Sequence, residues 1–328
     1  MKPICIDPLI KKIVSCVKRH ELSVGCYARW TFGENRDLGK NEYGCADAAN
    51  ILYTVGEFPK DPSERAEWVR HLQSMQDPSS GMYVEATHNT IHTTAHCTAA
   101  LELFDAKPLY KATALQKYTT KEGLYDLLEN EVKWQKNPWP QSHKGAGILP
   151  SLTNTDMVGL EWKNWYFDWM WEHSDPETGF FTHGDMSGIE LYKIMAAGFH
   201  YMFNHEAERR PYRYPEKIID SSLKLMENEK NLFAVKCTFI DVDVVYALTR
   251  AMRQSPHRFY EAKAALEAFC EKYLDMFYNI DYENDEYFND LHMLFGAVCC
   301  LAELQSALPG KIITSKPLRL VLDRRPFI

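Results

Sequence analysis

Two kinds of helical segment alternate along this chain, and the alternation limits what it can fold into. Charged, amphipathic stretches occupy 6–20, 62–76, 121–135, 158–173, 214–228 and 257–277. Between them lie stretches dense in small and apolar residues: CADAANILYTV (45–55), TIHTTAHCTAALELF (90–104), HKGAGILPSL (143–152), GIELYKIMAAGFHYMF (188–203), DVDVVYALTRAM (241–252) and DLHMLFGAVCCLAEL (290–304). The second kind starts near 45, 90, 143, 188, 241 and 290, at intervals of 45, 53, 45, 53 and 49 residues. A period of about 50 residues signals stacked supersecondary units. A charged helix stripe must face water, whereas small residues let helix axes approach on several sides. Six charged helices outside six small-residue helices predict an all-α fold, an (α/α)6 toroid over 1–310. The third inner helix is expected to be short or broken, because Gly145, Gly147 and Pro150 fall inside it.

The remaining composition narrows the class. With 328 residues, 45% hydrophobic and 13% aromatic, the chain can bury a sizeable core, which excludes wholesale disorder. The repeat replaces the two domains that length alone suggests with one domain and a tail. No apolar run approaches the ~18–20 residues of a membrane span, so no membrane partner is expected. The charged, amphipathic start, MKPICIDPLIKKIVSCVKRH, does not read as a signal peptide. A net charge of −8 without a long basic block argues against nucleic acid as a partner. Nine cysteines, with no C-x-x-C, fit reduced thiols in a cytoplasmic protein. No cofactor is expected. The segment 311–328 carries Lys311, Lys316, Arg319, Arg324 and Arg325 against Asp323 alone. It reads as a basic arm lying on the acidic body or on a second copy in a homo-oligomer.

Two loops share a pattern, DPSSGMY (77–83) and DPETGFF (175–181), each between an outer and an inner helix. Asp-Pro followed by Gly favours a tight turn. With this motif and the repeat, residues 1–306 resemble the six-hairpin proteins. These include helical-barrel glycosidases, sugar epimerases, polysaccharide lyases and the terpene cyclase/prenyltransferase group. The resemblance implies a pocket at the end of the toroid where the inner helices begin. Helix N-termini gathered there would suit oxygen-rich or anionic ligands.

Chemistry-bearing residues fall at that end. Asp47, His92, Asp243 and Asp290 are the expected catalytic set; substrate contacts are expected from Tyr43, Tyr83, His88, Trp139, His143, His183, Glu190 and His292. Aromatic faces beside acids and histidines suit a sugar ring. His88, His92 and His96 stack at i, i+4 and i+8 on one helix face. Two of them could ligate a metal, but no third ligand is evident and HExxH is absent, so no metal is expected. Asp241 and Asp243 point about 200° apart on a helix, so one of them faces the axis. DVDV lacks the last acid of the DxDD motif of protonating terpene cyclases. Trp162, Trp165 and Trp169, at i, i+3 and i+7, read as core.

The expected function is a carbohydrate-active enzyme taking a small molecule or oligosaccharide. A glycoside hydrolase with paired carboxylates comes first. A sugar-acid lyase or epimerase with a histidine base is the alternative. An isoprenoid cyclase or prenyltransferase-like enzyme and a non-catalytic scaffold complete the set.

Overall fold

The computed structural model describes residues 2–325 and 327. The chain is all-α. In order it forms α1 (Asp7–Arg19), α2 (Glu42–Thr54), α3 (Pro62–Gln73), α4 (Thr90–Glu102), α5 (Lys121–Asp126), α6 (Pro138–Thr153), α7 (Leu160–Glu172), α8 (Leu191–Ala207), α9 (Pro215–Asn228), α10 (Phe239–Met252), α11 (Phe259–Asn279), α12 (Leu291–Ala307) and α13 (Val321–Arg324). Two short strand pairs accompany them, Ile4–Cys5 parallel to Ile312–Ile313 and Glu21–Ser23 antiparallel to Cys26–Tyr27. No helix among the described residues is long and apolar enough to cross a membrane.

The small-residue helices form a closed cycle of contacts. Helix α2 packs on α4, α4 on α6, α6 on α8, α8 on α10, α10 on α12, and α12 returns to α2. These six are buried on nearly every side; α12, for example, buries Leu291 to Leu304 apart from Met293. The amphipathic helices lie against them from outside, with α1, α3, α9 and α11 each touching one or more of the six. Boundaries follow local chemistry. Asn41, Asn89 and Asp290 accept backbone N–H bonds at the starts of α2, α4 and α12.

The third pair departs from expectation. The inner helix α6 runs unbroken for 16 residues, and its outer partner is the short one: α5 gives way to a π-turn at Leu127–Glu131. Pro150 removes the bond its N–H would make to the Ala146 carbonyl. Asn204 Nδ2 fills that gap at 2.9 Å and also donates to the Tyr166 hydroxyl at 2.8 Å. Gly145 has a positive reason to be there, since a Cβ would strike the Tyr201 hydroxyl of α8. The two Asp-Pro loops adopt one geometry. Gly81 and Gly179 donate to the Asp77 and Asp175 carbonyls at 2.8 Å, with φ of +72° and +81°. Trp162 and Trp169 are core residues, as expected.

The C-terminal segment docks on the body of its own chain. Lys316 pairs with Glu57 at 2.6 Å and Arg324 with Asp105 at 2.7 Å. Helix α13 lies against α2 and α8. Arg325 and Phe327 are buried.

Candidate functional site

A cavity of about 500 Å³ opens where α4, α6, α10 and α12 begin. Its walls carry Arg29, His88, His92, Trp139, His143, His200, Lys236, Phe239, Tyr287 and His292. Five histidines on the cavity wall come from four sequence-distant helices, α4, α6, α8 and α12, and the loop before α4.

Hydrogen-bond partners fix the rings. Arg325 can only donate, and its Nη2 meets His96 Nδ1 at 3.2 Å, so His96 carries its proton on Nε2. That proton goes to Asp47 Oδ1 at 2.7 Å. The other Asp47 oxygen accepts from His292 Nδ1 at 3.1 Å, which turns His292 Nε2 away from the carboxylate. Asp47 itself is completely buried. Burial works to raise its pKa, but the paired His292 and His96 outweigh this and hold it well below the usual carboxylate range. It is a fixed buried anion behind His292.

Tyr43 anchors the upper rings. Its hydroxyl meets His92 Nδ1 at 2.6 Å, and its ring stacks on His88 and His96 with centroids 4.4 and 4.9 Å apart. Ser142 does the same for His200. Its hydroxyl donates to the Trp139 carbonyl, so its oxygen accepts from His200 Nδ1 at 2.7 Å. Thr87 receives His88 Nδ1 at 2.7 Å and donates to Glu85 at 2.6 Å. Burial lowers His88 to about 4 and His200 to about 3, and pushes His92 and His143 well below the normal histidine range. At neutral pH these rings are uncharged, with nitrogen lone pairs available.

Arg29 supplies a held cation. It binds Asp290 through two bonds, 2.7 and 2.9 Å, and lies 3.6 Å from Glu85. Its loop is pinned to the start of α12 by Asn289, which accepts from Thr31 N and donates to the Phe32 carbonyl, each at 2.8 Å. Lys236, also on the cavity wall, donates to the Tyr287 hydroxyl at 2.8 Å.

Of the residues singled out from sequence, His88, His92, Trp139, His143 and His292 line the cavity. Four others are held just behind it or deeper. Asp47 is bonded to His292, and Asp290 caps α12 while binding Arg29. Tyr43 is fully buried and positions histidines instead of touching the cavity. Asp243 is also fully buried, and neither carboxyl oxygen has a partner. Burial, with Asp241 adding to it, raises its pKa well above normal, so it is a neutral acid inside α10. Asp241 is the better satisfied of the two, accepting from Ala234 N at 2.7 Å.

The rest lie elsewhere. Tyr83 is buried outside the cavity lining, its backbone N–H bonded to Thr94. His183 packs near His173 and Trp169, at 5.1 and 5.8 Å. Glu190 caps nothing through its side chain and pairs with Lys193 at 2.5 Å. Sequence reasoning missed Arg29, Lys236 and His200 as site residues. His200 was in view as the one histidine within the tract MAAGFHYMF, among residues that otherwise only pack.

Two groups could hold a cation by composition. The ligand atoms of His92, His143 and His200 lie within 4.8 Å of one another, as do those of Asp47, His96 and His292. Compared with family models, curated proteins and solved structures, the chain matches none.

Proposed function

We propose that the chain is an (α/α)6 toroid and an enzyme that moves a proton on a small carbohydrate acid, as a lyase or epimerase does. The closed cycle of six helices with amphipathic helices outside it supports the architecture. The observation that carries the chemistry is the Asp47–His292 pair. A fully buried carboxylate holds His292 Nδ1–H at 3.1 Å, and the other face of that ring lies on the cavity wall.

A histidine oriented this way takes a proton at Nε2, while the buried anion stabilises the imidazolium that forms. The acidic C–H next to a carboxylate is a suitable donor. Lys236 and the converging starts of α4, α6, α10 and α12 favour the substrate's negative charge. Trp139, Phe239 and Tyr287 offer ring faces for the apolar side of a sugar. In a lyase the electron pair then expels the β-oxygen; in an epimerase a proton from solvent returns to the same carbon on the opposite face.

Glycoside hydrolysis comes second. It needs two carboxyl groups facing the substrate. No carboxylate stands among the described residues of the cavity wall. The test is incubation of the chain with uronic acids, oligouronides and neutral sugars in deuterated water. We expect deuterium at the carbon next to the carboxylate, or an unsaturated product, with acidic substrates only. His292→Asn should lower the rate by about 10²–10⁴-fold. Turnover of neutral glycosides without deuterium uptake would overturn the reading.

A further inference from the structure

We propose that His92, His143 and His200 form a binding site for one divalent transition-metal ion of the zinc type. The three imidazoles come from α4, α6 and α8, consecutive helices of the closed cycle. Their ligand nitrogens already lie within 4.8 Å of one another. On a tetrahedral ion with Zn–N bonds of 2.0–2.1 Å, ligand nitrogens stand about 3.4 Å apart. Closing onto an ion draws them together by at most about 1.4 Å.

The surroundings prepare the rings for a metal. Ser142 takes the Nδ1 proton of His200, because its own proton is committed to the Trp139 carbonyl. Tyr43 occupies His92 Nδ1. Both rings are therefore held from behind at Nδ1, which leaves Nε2 for the ion. This is the outer hydrogen-bonding that orients metal-bound histidines. His143 has no hydrogen bond to its ring among the described residues, yet packs 4.2 Å from His92 and 4.9 Å from His200, centroid to centroid. Three imidazoles pressed together without a carboxylate leave lone pairs that a cation would satisfy. All three residues line the cavity, so an ion there keeps an open position toward it. Three protein ligands and one open position are the pattern of catalytic zinc sites.

The deeper group does not offer this. His96 spends both nitrogens, one on Asp47 and one on the Arg325 guanidinium. Asp47 already accepts from two histidines. That cluster is a satisfied network beside a buried cation.

The metal site does not depend on the proton-transfer reading, and binding measures it directly. The full chain, stripped with a chelator, is titrated with Zn²⁺ by calorimetry and with Co²⁺ by visible absorption. We expect one ion per chain and the intense Co²⁺ bands of low coordination number. His143→Ala and His200→Gln should each weaken binding at least about 100-fold, and Ser142→Ala about 10-fold. Asp47→Asn should retain binding. Circular dichroism checks that each variant is folded, and the half-buried His143 carries the test if His200→Gln does not fold. No stoichiometric binding by the parent chain would overturn the proposal. So would binding that survives both histidine variants, or binding lost in Asp47→Asn but kept in His143→Ala. A chain that binds the ion but takes up no deuterium would support this site and remove the reading above.

Discussion

The two ends of the six-helix cycle treat buried polar groups in opposite ways. Where α4, α6, α10 and α12 begin, His88, His92, His143, His200 and His292 turn toward a cavity. At the other end, Arg250 is fully buried and answered by acids: Glu303 directly, Asp323 at 2.5 Å and Glu206 at 3.8 Å. The C-terminal segment closes that end, with Arg325 bonded to His96 and Phe327 5.1 Å from the His92 ring. The same helices thus carry one end where a buried cation is paired with acids and another where imidazole rings line a cavity.

The largest effect should come from breaking the buried ion pairs of Arg250. Arg250→Ala strands Glu303, which is itself buried, and removes the anchor of Asp323. Chemical denaturation should show a loss of about 3–5 kcal/mol. Limited proteolysis should then cut the C-terminal segment more readily. If stability falls by less than about 1 kcal/mol, the two ends do not differ as described. His143→Ala at the open end is the counterpart. Its ring has no hydrogen bond among the described residues, so its stability cost should stay within about 1–2 kcal/mol while metal affinity collapses.

Asp243 sharpens the comparison, because it is buried and unpartnered but faces no ligand. Asp243→Asn should stabilise the chain at pH 7 by about 1–2 kcal/mol. The sign follows from the raised pKa: the folded state holds a proton that the unfolded state gives up above its ordinary value near 4. The parent chain's disadvantage should therefore be absent at pH 3 and grow as pH rises through 4 and beyond. A gap between parent and variant that is flat from pH 3 to 7 would contradict a protonated Asp243. The smallest effect belongs to the exposed Lys316–Glu57 pair, where Glu57→Gln should change stability by no more than about 0.5 kcal/mol.

Much of the helical framework was legible because it rests on local pattern. The six inner helices start within about five residues of expectation, and the charged ones face outward, since burial by class of residue acts over each turn. The third pair was misjudged. Sequence counts Pro150 and two glycines as breakers, but cannot see that Asn204, far along the chain, supplies the missing bond and that Tyr201 requires a glycine. The site was half legible. His88 and His92 declared themselves by a spacing of four, although only His92 lies in α4 and His88 sits in the loop before its Asn89 cap. His200 and Arg29 did not, because their roles come from neighbours across the cycle. Acids are the main error. Asp47 and Asp243 look alike at helix starts, yet one is paired twice and the other not at all. Only the partners separate a buried anion from a buried neutral acid.

The central claim is that the open end works through His292 backed by Asp47. The direct measurement is proton magnetic resonance of a uronic acid incubated with the chain in deuterated water. The account predicts loss of the signal from the proton next to the carboxylate, at a rate about 10²-fold or more lower in both His292→Asn and Asp47→Asn. Exchange at an undiminished rate in both folded variants would contradict it.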